Sequence, residues 1–425
     1  MRLPSRLPSP NLNFGLSLGR RSGADVVGLD IQPGFVAAVR ARVNGSIVAE
    51  HAASMPLPAD TMRDGEVFDE EALGDVLREL FATSGLGKRV RIGVANQRTV
   101  LRTLELPPVT DQKELAAAVT FQAQDQVPMP LNNAVLDFHP LGVVDTPAGP
   151  RQRVVLVAAQ RDMIERLLSA VRRAGLTPEG IDLSAFALIR SLYRHESEEP
   201  GRVLYLNVDG LTNLAIAEGT ACRFTRVVGG GLEGMASELA ERRGIALVDA
   251  RARLVEADLS APAESEAPTA AAEQPDEAEE PTASEETTEA GEPAPSREEA
   301  YAREMEMSYE DHATPVKAPS AEPTPQASEA DVWTVLDNGI REISGEVRNS
   351  LDFHRSQDGG GEVSHVVLSG AVQDIPGFAE ALQSSLGVEV RAARLGAAAD
   401  ALPDGLSAHR LAVATGLATL EAPHQ

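Results

Sequence analysis

Two short polar turns carry residue types that could bind an anion or a metal ion. The first is Gly28-Leu29-Asp30-Ile31-Gln32-Pro33-Gly34-Phe35, and the second is Asn207-Val208-Asp209-Gly210-Leu211-Thr212-Asn213. An acid at a strand end, such as Asp30, can hold a Mg²⁺-bound water. Successive backbone N–H groups in a glycine turn make a concavity for phosphate. Gly229-Gly230-Gly231 stands ahead of a helical pattern, where unpaired N–H groups attract anions. A tight strand-to-helix turn accounts for the same glycines equally well. Asp30 and Asn207 could likewise bond their own turns, as Asx residues often do. The eight histidines, His51, His139, His195 and His365 among them, show no metal-ligand spacing. No Ser/His/Asp set or pair of acids stands out, so no catalytic residue is assigned.

The elements that position these turns repeat. Residues 26–50 read strand, turn, strand, Asn44-Gly45 turn, strand, and residues 203–228 repeat that plan with a Glu218-Gly219-Thr220 turn. Two such meanders suggest a duplicated unit. Helices are predicted over 70–81, with Asp69 as N-cap, and from Asp111, with Glu114 three residues on, to about 126. Others follow at 161–174, closed by Gly175, and at 184–193, 232–243 and 409–420. Val332, Val335, Leu336, Ile340, Ile343, Val347 and Leu351 mark a long amphipathic helix. Short strands are expected at 90–95, 154–159, 180–182, 365–368 and 388–391. Strands and helices alternating at these lengths mean α/β layers.

The net charge of −26 over 425 residues is concentrated. Residues 261–330 hold 19 acidic and 3 basic side chains, leaving −10 on the remaining 355. That segment is Glu, Ala, Pro, Ser and Thr with almost no large aliphatics, so it is read as disordered, its Tyr301 to Tyr309 island included. No dense Lys/Arg stripe exists for nucleic acid. Cys222 stands alone, which rules out an internal disulfide and fits a reducing cytosol. No apolar run is long enough for a membrane span. Residues 1–23 carry Arg2, Arg6, Arg20 and Arg21 and read as a flexible basic leader, since prolines and asparagines interrupt any signal-like apolar core.

The order of pieces resembles the PilM family, actin-like proteins of type IV pilus assembly that are related to the division protein FtsA. Besides the meanders, the segments similar to that family are LELPPVTDQKELAAAVTFQAQDQVPMPLNNAVLDFHPL at 104–141, VVLVAAQRDMIERLLSAVRRAGLTPEGIDLSAFALIRSL at 154–192 and VVLSGAVQDIPGFAEALQSSLGVEV at 366–390. The likeness implies an actin-like (ribonuclease H-like) duplicated α/β fold, two halves around a cleft, with a small α/β subdomain inserted. The first half is expected to be 24–97 with 178–202 and 395–421, and the insert 98–177. The second half is then 203–258 with 331–394, and the acidic insert 259–330.

The same likeness supplies roles. ATP and Mg²⁺ would meet Asp30 (the metal through water), Asn207, Asp209, Gly210, Thr212, Gly230, Gly231 and Gly370. The family's loops read Gly-x-Asp-Ile-Gly-Ser-Ser-Ser and Asp-Ile-Gly-Ala-Thr-Thr-Thr. Here Gln32, Pro33 and Phe35 replace a glycine and hydroxyl donors, Asn207 replaces an acid, and Gly370-Ala371 stands for a Gly-Gly pair. Pro33 also removes one N–H outright. The cleft is therefore read as degenerate, in a cytosolic scaffold at the inner face of the cytoplasmic membrane. Its implied partners are the N-terminal cytoplasmic tail of a PilN-like membrane protein and other pilus assembly proteins, with self-association left open. The tail would lie between insert and first half, near Leu104, Leu106, Pro108, Val127, Met129 and Leu131, while Phe121 is assigned to the insert's core. The alternatives are a working ATP-binding ATPase or an FtsA-like tether, the latter without the basic amphipathic C-terminal helix it would want.

Overall fold

The computed structural model describes residues 26–44, 46–147, 149–194, 201–260, 329–357, 360–398, 401–403 and 405–420. The basic leader, nearly all of the acidic insert, Gly45 and His195 lie outside them.

Two sheets share one order. In the first, the meander β1 (Val27–Gln32), β2 (Phe35–Asn44) and β3 (Ser46–Pro56) runs antiparallel. After a two-stranded hairpin, β4 (Met62–Arg63) with β5 (Glu66–Val67), strands β6 (Arg89–Val94) and β10 (Thr177–Leu183) extend the first sheet in parallel on the β1 side. The second repeats this with β11 (Arg202–Val208), β12 (Thr212–Glu218) and β13 (Ala221–Val228), then β14 (Val363–Ser369) and β15 (Val390–Ala392) in parallel. Both orders read third, second and first strand of the meander, then two parallel strands. A two-residue strand, β16 (Gly396–Ala397), adds to β3. This is the duplicated ribonuclease H-like arrangement, and the fold is actin-like.

Local chemistry explains the helices. Asp69 accepts the N–H groups of Glu71 and Ala72 to start α1 (Glu70–Ser84), and Asp111 accepts those of Lys113 and Glu114 to start α2 (Gln112–Gln126). In α3 (Arg161–Arg173), Met163, Ile164, Leu167, Leu168 and Val171 form one buried stripe. That stripe joins Leu73, Leu77, Leu80 and Ile92 in the first half's core. The sequence-based boundary at 177 places α3 with the insert, but its apolar face packs on α1 and the first sheet. Helix α4 (Ser184–Leu192) is buried on nearly every side. With the final helix, α9 (Ala412–Leu417), it packs against Tyr205, Ala215 and Ala217 of the second sheet. The helix expected over 409–420 is shorter, because a 3-10 turn (Ala408–Leu411) precedes α9. The second half is completed by α5 (Leu232–Arg243), α6 (Leu247–Glu256), α7 (Glu329–Ser356) and α8 (Phe378–Leu386), packed around Phe378 and Leu336.

Between β6 and α3 lies a small three-stranded antiparallel sheet of β7 (Val100–Leu106), β9 (Gly149–Gln160) and β8 (Ala134–Thr146), in that order. Strand β9 is longer than the 154–159 expected, and it forms a hairpin with β8. Helix α2 covers one sheet face, burying Leu115, Val119 and Ala123 against Leu104, Leu106, Val154 and Leu156. The other face sends Val135, Val155 and Val157 into the first half's core.

His354, on α7, is 3 % exposed, and neither ring nitrogen has a hydrogen-bond partner. Burial, then the charges of Arg202 and Arg223, lower its pKa below the usual histidine value. A depressed pKa means the unfolded chain binds the proton more readily, so stability present above about pH 6.5 is lost as pH falls further. Urea denaturation at pH 7.5 and 5.5 should show this loss, and His354→Leu should reduce it.

Candidate functional site

The C-terminal ends of β1 and β11 bring the two turns face to face. Asp30 is 2 % exposed, and its Oδ2 accepts a 2.9 Å bond from Gln32 Nε2. Gln32 Oε1 in turn accepts the Leu211 N–H at 3.4 Å, so one amide joins both halves. The backbones themselves touch. A Cβ added to Gly210 would stand 2.4 Å from the carbonyl oxygen of Pro33. One at Gly34, where φ is +76°, would meet Arg251 and Glu233 at 2.6 and 2.7 Å. Those two residues form an ion pair at 2.5 Å.

Asp209 is held from the other side. Arg410 donates to both carboxylate oxygens, at 3.1 and 3.3 Å, and its guanidinium carbon lies 4.1 Å from the Phe35 ring centroid. Phe35 is therefore the platform for an arginine, a cation–π contact, and not only a lost hydroxyl. The Asp209 carbonyl accepts the Leu232 N–H at 2.8 Å, so the first N–H of α5 is used within the protein. Gly230 and Gly231 have φ of +93° and +81°, and a Cβ on Gly231 would stand 2.6 Å from the Asp209 oxygen. The glycines are explained by this close turn.

The remaining candidates sit nearby with internal tasks. Asn207 does not bond its own turn: its Oδ1 accepts Ser369 Oγ at 2.9 Å, from the strand paired with it. Gly370, with φ +94°, lies against the Val208 backbone, where a Cβ would be 2.2 Å from the carbonyl oxygen. Thr212 is 1 % exposed and its hydroxyl is unpartnered. It lines a cavity of about 190 Å³ together with Gly229, Gly230 and three acids, Glu238, Glu342 and Glu346. Arg226 answers Glu346 at 2.7 Å, and the acidic wall as a whole disfavours phosphate. The space between the turns is about 230 Å³, bounded by Pro33, Gly34, Gly210, Arg251 and Arg410. That is below the usual range for ligand pockets, roughly 300–1,000 Å³.

Asp30 carries the main electrostatic tension. Burial raises its pKa to about 7, the Gln32 bond lowers it, and the charge of Asp209 raises it again. A Mg²⁺-bound water would relieve that charge, so the acid suits the metal. The donors around it do not suit a triphosphate, because Leu211 N–H, Leu232 N–H and both arginines are engaged. Among the described residues no group of His, Cys, Asp and Glu is arranged to hold a metal directly.

The expected partner face divides. Leu104, Leu106 and Val127 are 3 %, 4 % and 7 % exposed and fill the insert's core, so they offer a partner no surface. Met129 and Leu131 are half-buried against that core, and Pro108 is exposed. Phe121, expected inside, is 70 % exposed. It lies two residues from both Val119 and Ala123, about 200° round the helix from each. Gln32, Arg410 and the Glu233–Arg251 pair were not anticipated as parts of the site. Gln32 was visible as an unusual loop residue, whereas Arg410 is some 200 positions from its carboxylate and gave no local signal.

Arg410→Ala should destabilise the fold by about 3–5 kcal/mol in urea denaturation, because it strands a buried carboxylate. Gly210→Ala should also lower the melting temperature, since Pro33 must give way. Asp30→Asn should raise stability at pH 8 relative to the parent and narrow that gain at pH 5. A carboxyl with a raised folded-state pKa stabilises below its unfolded value and loses that contribution as pH climbs through about 7.

Comparison with known proteins places this geometry. The family model of the type IV pilus assembly protein PilM matches residues 28–226. The structure of a PilM–PilN type IV pilus biogenesis complex aligns at 22 % identity and a TM-score of 0.65, covering 93 % of this chain and 98 % of that one. The ethanolamine utilization protein EutJ from Carboxydothermus hydrogenoformans aligns at 14 % identity and TM-score 0.46, covering 95 % and 94 %. MreB5 of Spiroplasma citri bound to ADP aligns at 12 % and 0.45, covering 92 % and 94 %. Residues 28–226 thus carry a PilM-type sequence, set within an actin-like fold built by the described chain.

Proposed function

We propose that this chain is a scaffold of type IV pilus assembly, working at the cytoplasmic face of the membrane. It would hold the N-terminal cytoplasmic tail of a PilN-like membrane protein and would not turn over ATP. The pilus role is supported by the PilM-type sequence and by likeness to a protein solved as a PilM–PilN complex. The observation that carries the non-enzymatic part is the direct contact between the turns, Gly210 against Pro33, with Gln32 spanning Asp30 and Leu211. A nucleotide would have to separate these turns and displace Arg410 from Asp209 before any phosphate found a donor. Among the described residues no helix is long and apolar enough to cross a membrane, so attachment would come through the partner.

The binding division follows the fold. The three-stranded insert and the first half would grip the tail, with Pro108, Met129 and Leu131 as the accessible remainder of the apolar candidates. The second half, with the acidic segment attached, is left for other assembly proteins or for a second copy. A working ATPase is the competing reading, and the retained Asp30 favours it.

Calorimetry with Mg-ATP, and separately with a synthetic peptide of the PilN-like N-terminal tail, separates the two readings. The scaffold reading expects peptide binding in the micromolar range or tighter and no phosphate release. Steady ATP turnover would overturn the non-enzymatic part, and failure to bind the peptide would overturn the partner assignment.

A further inference from the structure

We infer that Asp137 is the docking point for a cationic nitrogen of the captured tail, at the seam between the insert sheet and the first half. The inference rests on the tail-binding reading above and adds the chemistry the tail must present. Asp137 lies on β8 in register with Val157, two residues after Val135. Val135 and Val157 face the first half and are buried in its core, so Asp137 continues that face just beyond the apolar contact.

The carboxylate there is half-buried and poorly served. Its Oδ1 accepts the Phe138 N–H at 2.9 Å. Across the seam stands Asp182, another acid. The adjacent cation, Arg190, is committed to Asp182 and to the Gly416 carbonyl at 3.0 Å. Arg161 is spent on the Ala134 carbonyl at 2.8 Å. His139, two residues on along β8, shares the Asp137 face. Among the described residues no cation pairs with Asp137. Burial first, countered by the Phe138 bond, and then the Asp182 charge lift its pKa to about 6.

A half-buried acid without a counter-ion is costly to keep charged unless something outside the chain neutralises it. β8 is an edge strand of its sheet, and Asp137 and His139 on it are half-buried rather than enclosed. The net charge of −10 carried outside residues 261–330 also favours a cationic tail over an acidic one.

The test uses the full chain and fluorescence anisotropy at pH 7.5 with a labelled peptide of the PilN-like N-terminal tail from the same organism. The same peptide is measured with every Lys and Arg replaced by Gln, and again N-acetylated, to separate a side-chain cation from the terminal amine. Asp137→Asn is compared with the parent and with Glu105→Gln, an exposed acid of the insert paired with Arg153 at 3.0 Å. The expected result is a loss on the order of 10-fold for Asp137→Asn with the native peptide, a difference of about 1.4 kcal/mol. The same variant should bind the peptide lacking the relevant cation as the parent does, and should melt no lower than the parent. Glu105→Gln should leave every affinity unchanged. An unaltered Kd for Asp137→Asn, or an equal loss with all three peptides, would overturn the inference while leaving tail binding intact. Absence of binding by the parent would instead remove the tail reading itself, and this inference with it.

Discussion

Close helix packing between the two sheets is the constraint on which the rest of this molecule depends. Helix α9 lies against β1 so tightly that a Cβ on Gly28 would stand 1.8 Å from the Ala414 carbonyl oxygen. A Cβ on Gly416 would be 1.8 Å from that of Ala187 on α4. Small residues are therefore required on both sides, and the helix reads Ala-Val-Ala-Thr-Gly-Leu for that reason. Its terminal carbonyls are satisfied by arginines: Arg91 donates to Leu417 at 2.7 Å and Arg190 to Gly416 at 3.0 Å. Because α4 and α9 also touch Tyr205 and Ala215 of the second sheet, the two halves are held at a short, defined separation.

That separation determines what the turns can do. With β1 and β11 aimed at one another, each loop has the other for a neighbour. Gln32, Phe35 and Arg410 fill the interval with contacts made by the chain itself. A guanidinium stacked on Phe35 pairs with Asp209, and the Gln32 amide donates to the buried Asp30. These contacts join the two halves directly. The three-stranded insert is anchored similarly, with one face turned to its own helix and the other to the first half. Among the described residues, no cation answers Asp137 on that second face.

Much of the fold was legible in the residues. Asp69 and Asp111 announced their helices because caps act over three residues, and the stripe of α3 was plain because its period is local. Phe121 was misplaced by treating apolar character as burial, when its phase on α2 turns it outward. The expected boundary at 177 groups α3 with the insert while its stripe packs on the first half's core, because an amphipathic stripe says that a helix packs, not which core receives it. Asn207 was offered as a nucleotide contact or as a turn residue, and pairing with β14 brings Ser369 within its reach from 162 positions away.

By itself the sequence determined the duplicated meander, the helix starts, the lack of hydroxyls and of one N–H in the Asp30 turn, and the PilM resemblance. These are properties of spacing and residue type over a few positions. The tertiary structure alone decided that the turns meet, that Arg410 answers Asp209, that Leu104, Leu106 and Val127 are interior, and that no cation among the described residues pairs with Asp137. Each of these depends on distances between residues remote along the chain. Such distances are set by how the helices pack between the sheets, which no local pattern encodes.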